Sequence, residues 1–126
     1  MFHPDTDFLV YALGRRGPEQ ERWIELATDD AEVRVSAIVW YELCRGPRTP
    51  LELALAAQIL GDDAVVPFDR RLAERAADLF RAMGSPRRRG HDIAVAATAI
   101  AEGATLLTRN AKDFRGIDGL KLEVVR

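Results

Sequence analysis

The chain has 126 residues, 48% of them hydrophobic, which is enough to enclose the core of one globular domain spanning residues 1–126. A formal net charge of −2 excludes a protein drawn globally to polyanions, so any site for nucleic acid has to be local. One cysteine, Cys44, and two separated histidines, His3 and His91, exclude a disulfide framework, a cysteine zinc site and a recognisable histidine metal motif.

No hydrophobic run approaches the roughly 20 residues of a membrane span, and no charged-then-apolar leader opens the chain, so we expect a soluble, cytoplasmic protein with no membrane partner. Residues 1–5 make a poor strand. Asp5-Thr6-Asp7 leads into the apolar segment Phe8–Leu13, which Gly14-Arg15-Arg16-Gly17 ends. Pro18 suits the first position of a helix with Glu19 and Glu21 in its first turn and Trp23, Ile24, Leu26 and Ala27 as its buried stripe. Val33–Val35 is a short strand. Ser36 caps a helix over 37–45 that stops at Gly46-Pro47 and is apolar almost all round, so buried on most sides. Pro50 starts a helix carrying Leu51, Leu53, Leu55, Ile59 and Leu60 to Gly61. Ala64–Pro67 is a third strand, and Asp69 caps a long helix to Met83 with Leu72, Ala76, Leu79, Phe80 and Met83 on one face.

The segment 84–90 breaks that helix. Asp92 then opens an alanine-rich helix, Ile93–Ala101, which Gly103 ends. Thr105–Thr108 has the continuous apolar character of a buried parallel strand, Asn110 and Asp113 follow its C-terminal end, and Lys121–Val125 alternates as a final strand. Strands alternating with helices predict an α/β fold with a parallel sheet.

Acids recur at the strand ends and first helical turns of this pattern. Each has an ordinary structural reading: Asp5, Asp7 and Asp92 as N-caps, Glu42 as a half-buried partner of an arginine, and Asn110 to Asp113 as the cap of a short turn. Together they suggest more, because sites in open α/β sheets lie at the C-terminal strand edge. Clustered carboxylates raise one another's pKa unless a cation neutralises them, and oxygen ligands without His or Cys suit Mg²⁺ or Mn²⁺ acting on a phosphate. Arg87-Arg88-Arg89 before Asp92, with Arg109 and Lys112 beyond the next strand, are candidate phosphate contacts, or a solvated loop. Arg15-Arg16 and Arg70-Arg71 read as ordinary surface, and His91 as a bystander. Thr6 and Thr108 stand where a hydroxyl could orient a ligand.

Four motifs occur in order: Asp5-Thr6-Asp7, Ser36-Ala37-Ile38-Val39-Trp40-Tyr41-Glu42-Leu43, Asp92-Ile93-Ala94-Val95-Ala96-Ala97-Thr98-Ala99, and Thr108-Arg109-Asn110-Ala111-Lys112-Asp113-Phe114. In these the chain resembles, over its full length, the PIN-domain nucleases and most closely the VapC-type toxins of type II toxin–antitoxin pairs. The resemblance implies a PIN-like three-layer sandwich, a mainly parallel sheet between helices, with an acidic pocket at its C-terminal edge. It further implies Asp5, Glu42 and Asp92 as metal-site acids and Asp113 as the fourth, with Thr6, Asp7, Thr108 and Asn110 in support. The implied reaction is Mg²⁺- or Mn²⁺-dependent hydrolysis of RNA leaving a 5′-phosphate and a 3′-hydroxyl, by a homodimer that a cognate antitoxin inhibits. Two positions depart from the family pattern. Asp7 replaces the commoner Asn, and Pro4 lies in what should be a central strand, where proline is disfavoured.

Three other readings compete. An RNA-maturation PIN nuclease shares every motif. A phosphoacceptor receiver domain would need an acid ending the third strand and a Lys ending the fifth, whereas Val66 is followed by Pro67-Phe68 and Lys121 begins its strand. A silent binding module would have no need of the intact acid set.

Overall fold

A computed structural model describes residues 1–126. The chain runs β1 (Phe2–Pro4), α1 (Thr6–Gly14), α2 (Pro18–Thr28), β2 (Val35–Ser36), α3 (Ala37–Arg45), α4 (Pro50–Ile59), β3 (Val65–Val66), α5 (Arg70–Ala82), α6 (Gly90–Glu102), β4 (Thr105–Thr108) and β5 (Lys121–Val124). Short 3₁₀ turns occupy Arg87–Arg89 and Ala111–Phe114.

All strand pairs are parallel. β1, β4 and β5 form one ladder in that order, β2 pairs with β3, and a bridge from Phe2 to Val33 joins the two sets. The expected mixed α/β architecture, a central parallel sheet flanked by helices, is what the chain adopts. β1 is therefore central, and Pro4 is accommodated by parity. Residues of odd number bond toward β4, Asp5 donating its N–H to Leu107 O at 2.9 Å, while Phe2 exchanges bonds with Glu32 and Arg34 on the other side. Pro4 follows Phe2 in that alternation and would donate beyond the last of those bonds, so its missing N–H costs no ladder partner.

The core is one cluster of 22 buried residues in which Phe8 and Leu9 of α1, Val39 and Leu43 of α3, Ile93, Ala96 and Ala99 of α6, and Leu106 and Leu107 of β4 meet. The alanines of α6 let its backbone lie close to the sheet, as their small volume requires. Most helix ends fall where capping chemistry puts them. Ser36 accepts from the Ile38 N–H, Asp69 from the Leu72 N–H at 2.9 Å, and Gly103 sits at φ 67°. Thr49 and Glu52 form a capping box on α4.

Three expectations need correction, and α4, to which the sequence assigns no inward face, acquires one. In α2 only Trp23 and Leu26 of the predicted stripe are buried; Ile24 is 56% exposed and Ala27 lies at the surface. In α4 the inward face is Leu53, Ala56 and Leu60, spaced i, i+3, i+7, which turns Leu51 (69% exposed) and Leu55 outward. Ile24, Leu55 and Ile59 instead line an apolar groove between α2 and α4. In α3 only Val39 and Leu43 are fully buried, while Tyr41 and Cys44 are exposed. Lastly, α6 begins at Gly90, because the 3₁₀ turn over 87–89 feeds straight into it, so Asp92 lies inside the first turn and caps nothing.

The outward face of α4 and the buried strand β4 make opposite predictions. Leu106→Ala should lower unfolding free energy by about 2–5 kcal/mol through lost burial and a residual cavity, whereas Leu51→Ala should stay within about 0.5 kcal/mol of the parent. Urea unfolding of both variants measures this; equal losses would overturn the assignment.

Candidate active site

The C-terminal ends of the strands deliver their acids to one place. Asp5 follows β1, Glu42 lies on the second turn of α3 just after β2, Asp92 on the first turn of α6, and Asp113 in the 3₁₀ turn after β4. All four, with Thr6, Asp7 and His91, line a cavity of about 130 Å³ whose apolar wall is Val39, Val95 and Phe114.

Asp5 is the most buried of them, 7% exposed. Its carboxylate accepts the Phe8 N–H at 2.8 Å and so caps α1 while facing the cavity. Burial drives its pKa from the ordinary 3.8 to about 6; the Thr108 hydroxyl and the Phe8 N–H oppose that rise, and the charges of Asp7 and Asp113 add to it. Asp92 is also raised, by burial first and then by Asp113 and Glu42, with His91 and Arg89 opposing. Its side chain accepts no capping N–H, so the ordinary reading of this residue does not hold.

Glu42 is held from three sides. The Thr6 hydroxyl donates to Oε1 at 2.6 Å, His91 Nε2 stands 2.8 Å from the same oxygen, and Arg45 lies 3.5 Å from Oε2. His91, read from sequence as a bystander, is thus a first neighbour of a cavity acid. No local signal could have shown it, since the pair is 49 positions apart and meets only through the packing of α3 beside α6.

The loop after β4 is built by its own polar groups. Thr108 Oγ1 accepts the Asn110 N–H at 3.0 Å, and Asn110 Oδ1 accepts the Lys112 N–H at 3.3 Å. These turns spend Thr108 and Asn110 on backbone geometry and present Asp113, which lines the cavity where Asn110 does not. Arg89 fastens the same loop, donating to the carbonyls of Asp113 (3.3 Å) and Arg115 (2.6 Å). Arg109 pairs with the buried Glu19 at 2.7 Å and lies 3.4 Å above the Tyr11 ring. Among the expected phosphate contacts, Arg87, Arg88 and Lys112 are the exposed ones without an ion pair.

An all-oxygen donor set of carboxylates suits a hard divalent cation, and the raised Asp5 and Asp92 show the cost of burying, and then of gathering, such acids without one. As the side chains stand, no three of them converge tightly enough to ligate an ion. Glu42 Oε1 is turned to Thr6 and His91, so chelation requires side-chain rotation at Glu42 at least.

No curated protein matches the sequence. Among solved structures, the fold is similar to that of VapBC2 from Rickettsia felis bound to a fragment of promoter DNA, at 24% identity, TM-score 0.75, covering 98% of this chain and 97% of that one. A DNA-bound VapBC from Salmonella typhimurium is similar at 20% identity and TM-score 0.72, covering 98% and 96%. A toxin–antitoxin complex from Klebsiella pneumoniae is similar at 24% identity and TM-score 0.70, covering 95% of each chain. The family model described as PIN domain matches residues 3–120, nearly the whole length. With that match, this parallel sheet and this edge of acids, the chain belongs to the PIN domain family.

Proposed function

We propose that the chain is the toxin of a toxin–antitoxin pair, a single-domain cytoplasmic endoribonuclease that depends on Mg²⁺ or Mn²⁺. The observation that carries this reading is the convergence of Asp5, Glu42, Asp92 and Asp113 in one cavity at the C-terminal sheet edge. Membership of a family of nucleases supports it.

A divalent cation bound among these acids supplies charge neutralisation for a phosphodiester and an activated water. Asp5 and Asp92, raised by burial and by neighbouring acids, are its principal holders. Glu42 joins them once its side chain rotates away from Thr6 and His91, which hold it in the metal-free site. Asp113 completes the set from a loop that Arg89 ties down. Val39, Val95 and Phe114 wall one side of the cavity and restrict water around the reacting phosphate. Arg87, Arg88 and Lys112 hold neighbouring phosphates, since RNA has to be drawn toward a site that is itself negative. The proposed hydrolysis leaves a 5′-phosphate and a 3′-hydroxyl.

The partner is an antitoxin. The Rickettsia and Salmonella neighbours were solved as VapBC complexes, and here Trp23, Ile24, Leu55 and Ile59 line an apolar groove that an amphipathic helix of such a partner would cover. We also propose that the active form is a homodimer.

The decisive experiment incubates purified, antitoxin-free protein with structured RNA in Mg²⁺, in Mn²⁺ and in EDTA. Cleavage is expected with either ion and none with chelator. Cleavage that persists in EDTA rejects the metal-dependent reading.

A further inference from the structure

We propose that a second cavity, formed by Tyr11, Arg15 and Arg48 beside α1, is a subsite for a backbone phosphate of the RNA strand flanking the cleaved bond. The proposal rests on the ribonuclease reading above and adds to it the path of the strand.

The cavity measures about 320 Å³ and is walled by Tyr11, Gly14, Arg15, Pro47 and Arg48, with Glu52 as its one acid. Its cations arrive from separate loops. Arg15 follows α1 and stacks on the Tyr11 ring at 4.3 Å, and Arg48 lies between α3 and α4. Arg109 lies over the same ring at 3.4 Å, but Glu19 already matches its charge. Arg15 forms no ion pair, its nearest influence on a carboxylate being a longer-range attraction to Glu19, which Arg109 already pairs. Arg48 pairs with Glu52, Nη1 to Oε2 at 3.4 Å, while the other oxygen, Oε1, serves the capping box with Thr49. The Nε of Arg48 is buried without any hydrogen-bond partner. Desolvating a guanidinium N–H and leaving it unpaired is costly, and an anion that drew the Arg48 head group toward the cavity would relieve that cost. Opposite the single carboxylate stand two guanidinium groups, one unmatched, so the cavity favours a singly charged anion such as a phosphodiester.

Its position fits a nucleic-acid strand better than a detached anion. The helices that carry the acid cavity also carry this one. Thr6 and Tyr11 lie on α1, and Arg48 follows Glu42 and Arg45 out of α3. From Thr6 to Tyr11 or Gly14 is roughly 7–12 Å along the axis at about 1.5 Å per residue, a reach of about one or two nucleotides. Arg15 and Arg48 would then hold the strand while the acids act on the adjoining phosphate. An acidic peptide is the competing occupant, and it predicts no change in RNA binding when these arginines are removed.

The test uses Asp92→Asn protein, so that the probe survives, and a short fluorescein-labelled oligouridylate titrated over a range of salt. Arg15→Gln and Arg48→Gln should each weaken binding about five- to tenfold and flatten the slope of log affinity against log salt by about 0.7. Arg71→Gln, an exposed cation on α5 outside both cavities, should leave the slope unchanged. Arg48→Lys should recover the slope without the full affinity, which separates lost charge from a damaged fold. Unchanged slopes in both Gln variants, or an equal loss in Arg71→Gln, would overturn the subsite. Binding by uncut probe is independent of chemistry. If the parent protein, with Asp92 intact, never cuts in Mg²⁺ or Mn²⁺ although binding depends on Arg15 and Arg48, the nuclease reading is refuted; if the parent cuts but binding ignores these substitutions, the subsite is refuted.

Discussion

Asp92→Asn is expected to abolish metal-dependent RNA cleavage, with a fall on the order of a thousandfold, or about 4 kcal/mol of lost transition-state stabilisation. Asp92 is a cavity acid with no structural duty. It caps no helix and accepts no backbone N–H, whereas Asp5 closes the first turn of α1 and Glu42 is shared among Thr6, His91 and Arg45. Its anion is disfavoured by burial and by the charges of Asp113 and Glu42. Removing that charge should leave the metal-free fold as stable as the parent or more so. The variant therefore separates chemistry from stability. Full cleavage by a folded Asp92→Asn protein would remove Asp92 from the site, and a collapsed melting transition would show the carboxylate to be structural after all.

Much of this architecture was legible because its signals are local. A cap is decided within four residues, so Ser36, Asp69 and Gly103 marked their helix ends correctly. The gathering of the acids followed from topology: in a parallel sheet every strand ends at the same edge, and residues just beyond those ends meet. What failed depended on the third dimension. Ile24, Leu51 and Leu55 are as apolar as Trp23 and Leu26, and only the packing of α2 and α4 around α1 decides which face is covered. Asp92 looked like a cap because the turn at 87–89 that starts α6 early has no distinctive sequence. The contacts of the arginines depended on the third dimension too. Arg89, a candidate phosphate contact by its charge, donates to two backbone carbonyls, while Arg15 lies at the surface as expected and stacks on Tyr11.

Asp5→Asn should stabilise the metal-free protein at pH 7 by about 2–3 kcal/mol, the energy of a two-unit pKa difference at about 1.4 kcal/mol per unit. The substitution keeps the cap, since an Asn side-chain oxygen can accept the Phe8 N–H as the carboxylate does. It removes only the buried charge. With a folded pKa near 6 against 3.8 unfolded, Asp5 contributes stability while protonated, fully below about 3.8, and loses it as pH rises through about 6. The gain from Asn should therefore vanish at pH 4. His3 works in the opposite direction over nearly the same window. Burial first, then Arg34 and the N-terminal amine, depress it from 6.5 to about 4, and both its nitrogens are buried without a hydrogen-bond partner. Its contribution is present above about 6.5 and is lost as pH falls through about 4. The two terms oppose each other between pH 4 and 6, so the parent should show little slope from this pair, while Asp5→Asn uncovers the acid loss due to His3. Adding Mn²⁺ at pH 7 should reverse the ranking, because a cation gives the Asp5 anion the partner the fold withholds and Asn cannot replace it. Urea unfolding at pH 4 and pH 7, with and without Mn²⁺, reads all of these. If Asp5→Asn were the less stable protein at pH 7 without metal, the fold itself would be satisfying the carboxylate, and a site under electrostatic tension awaiting a cation would have to be given up.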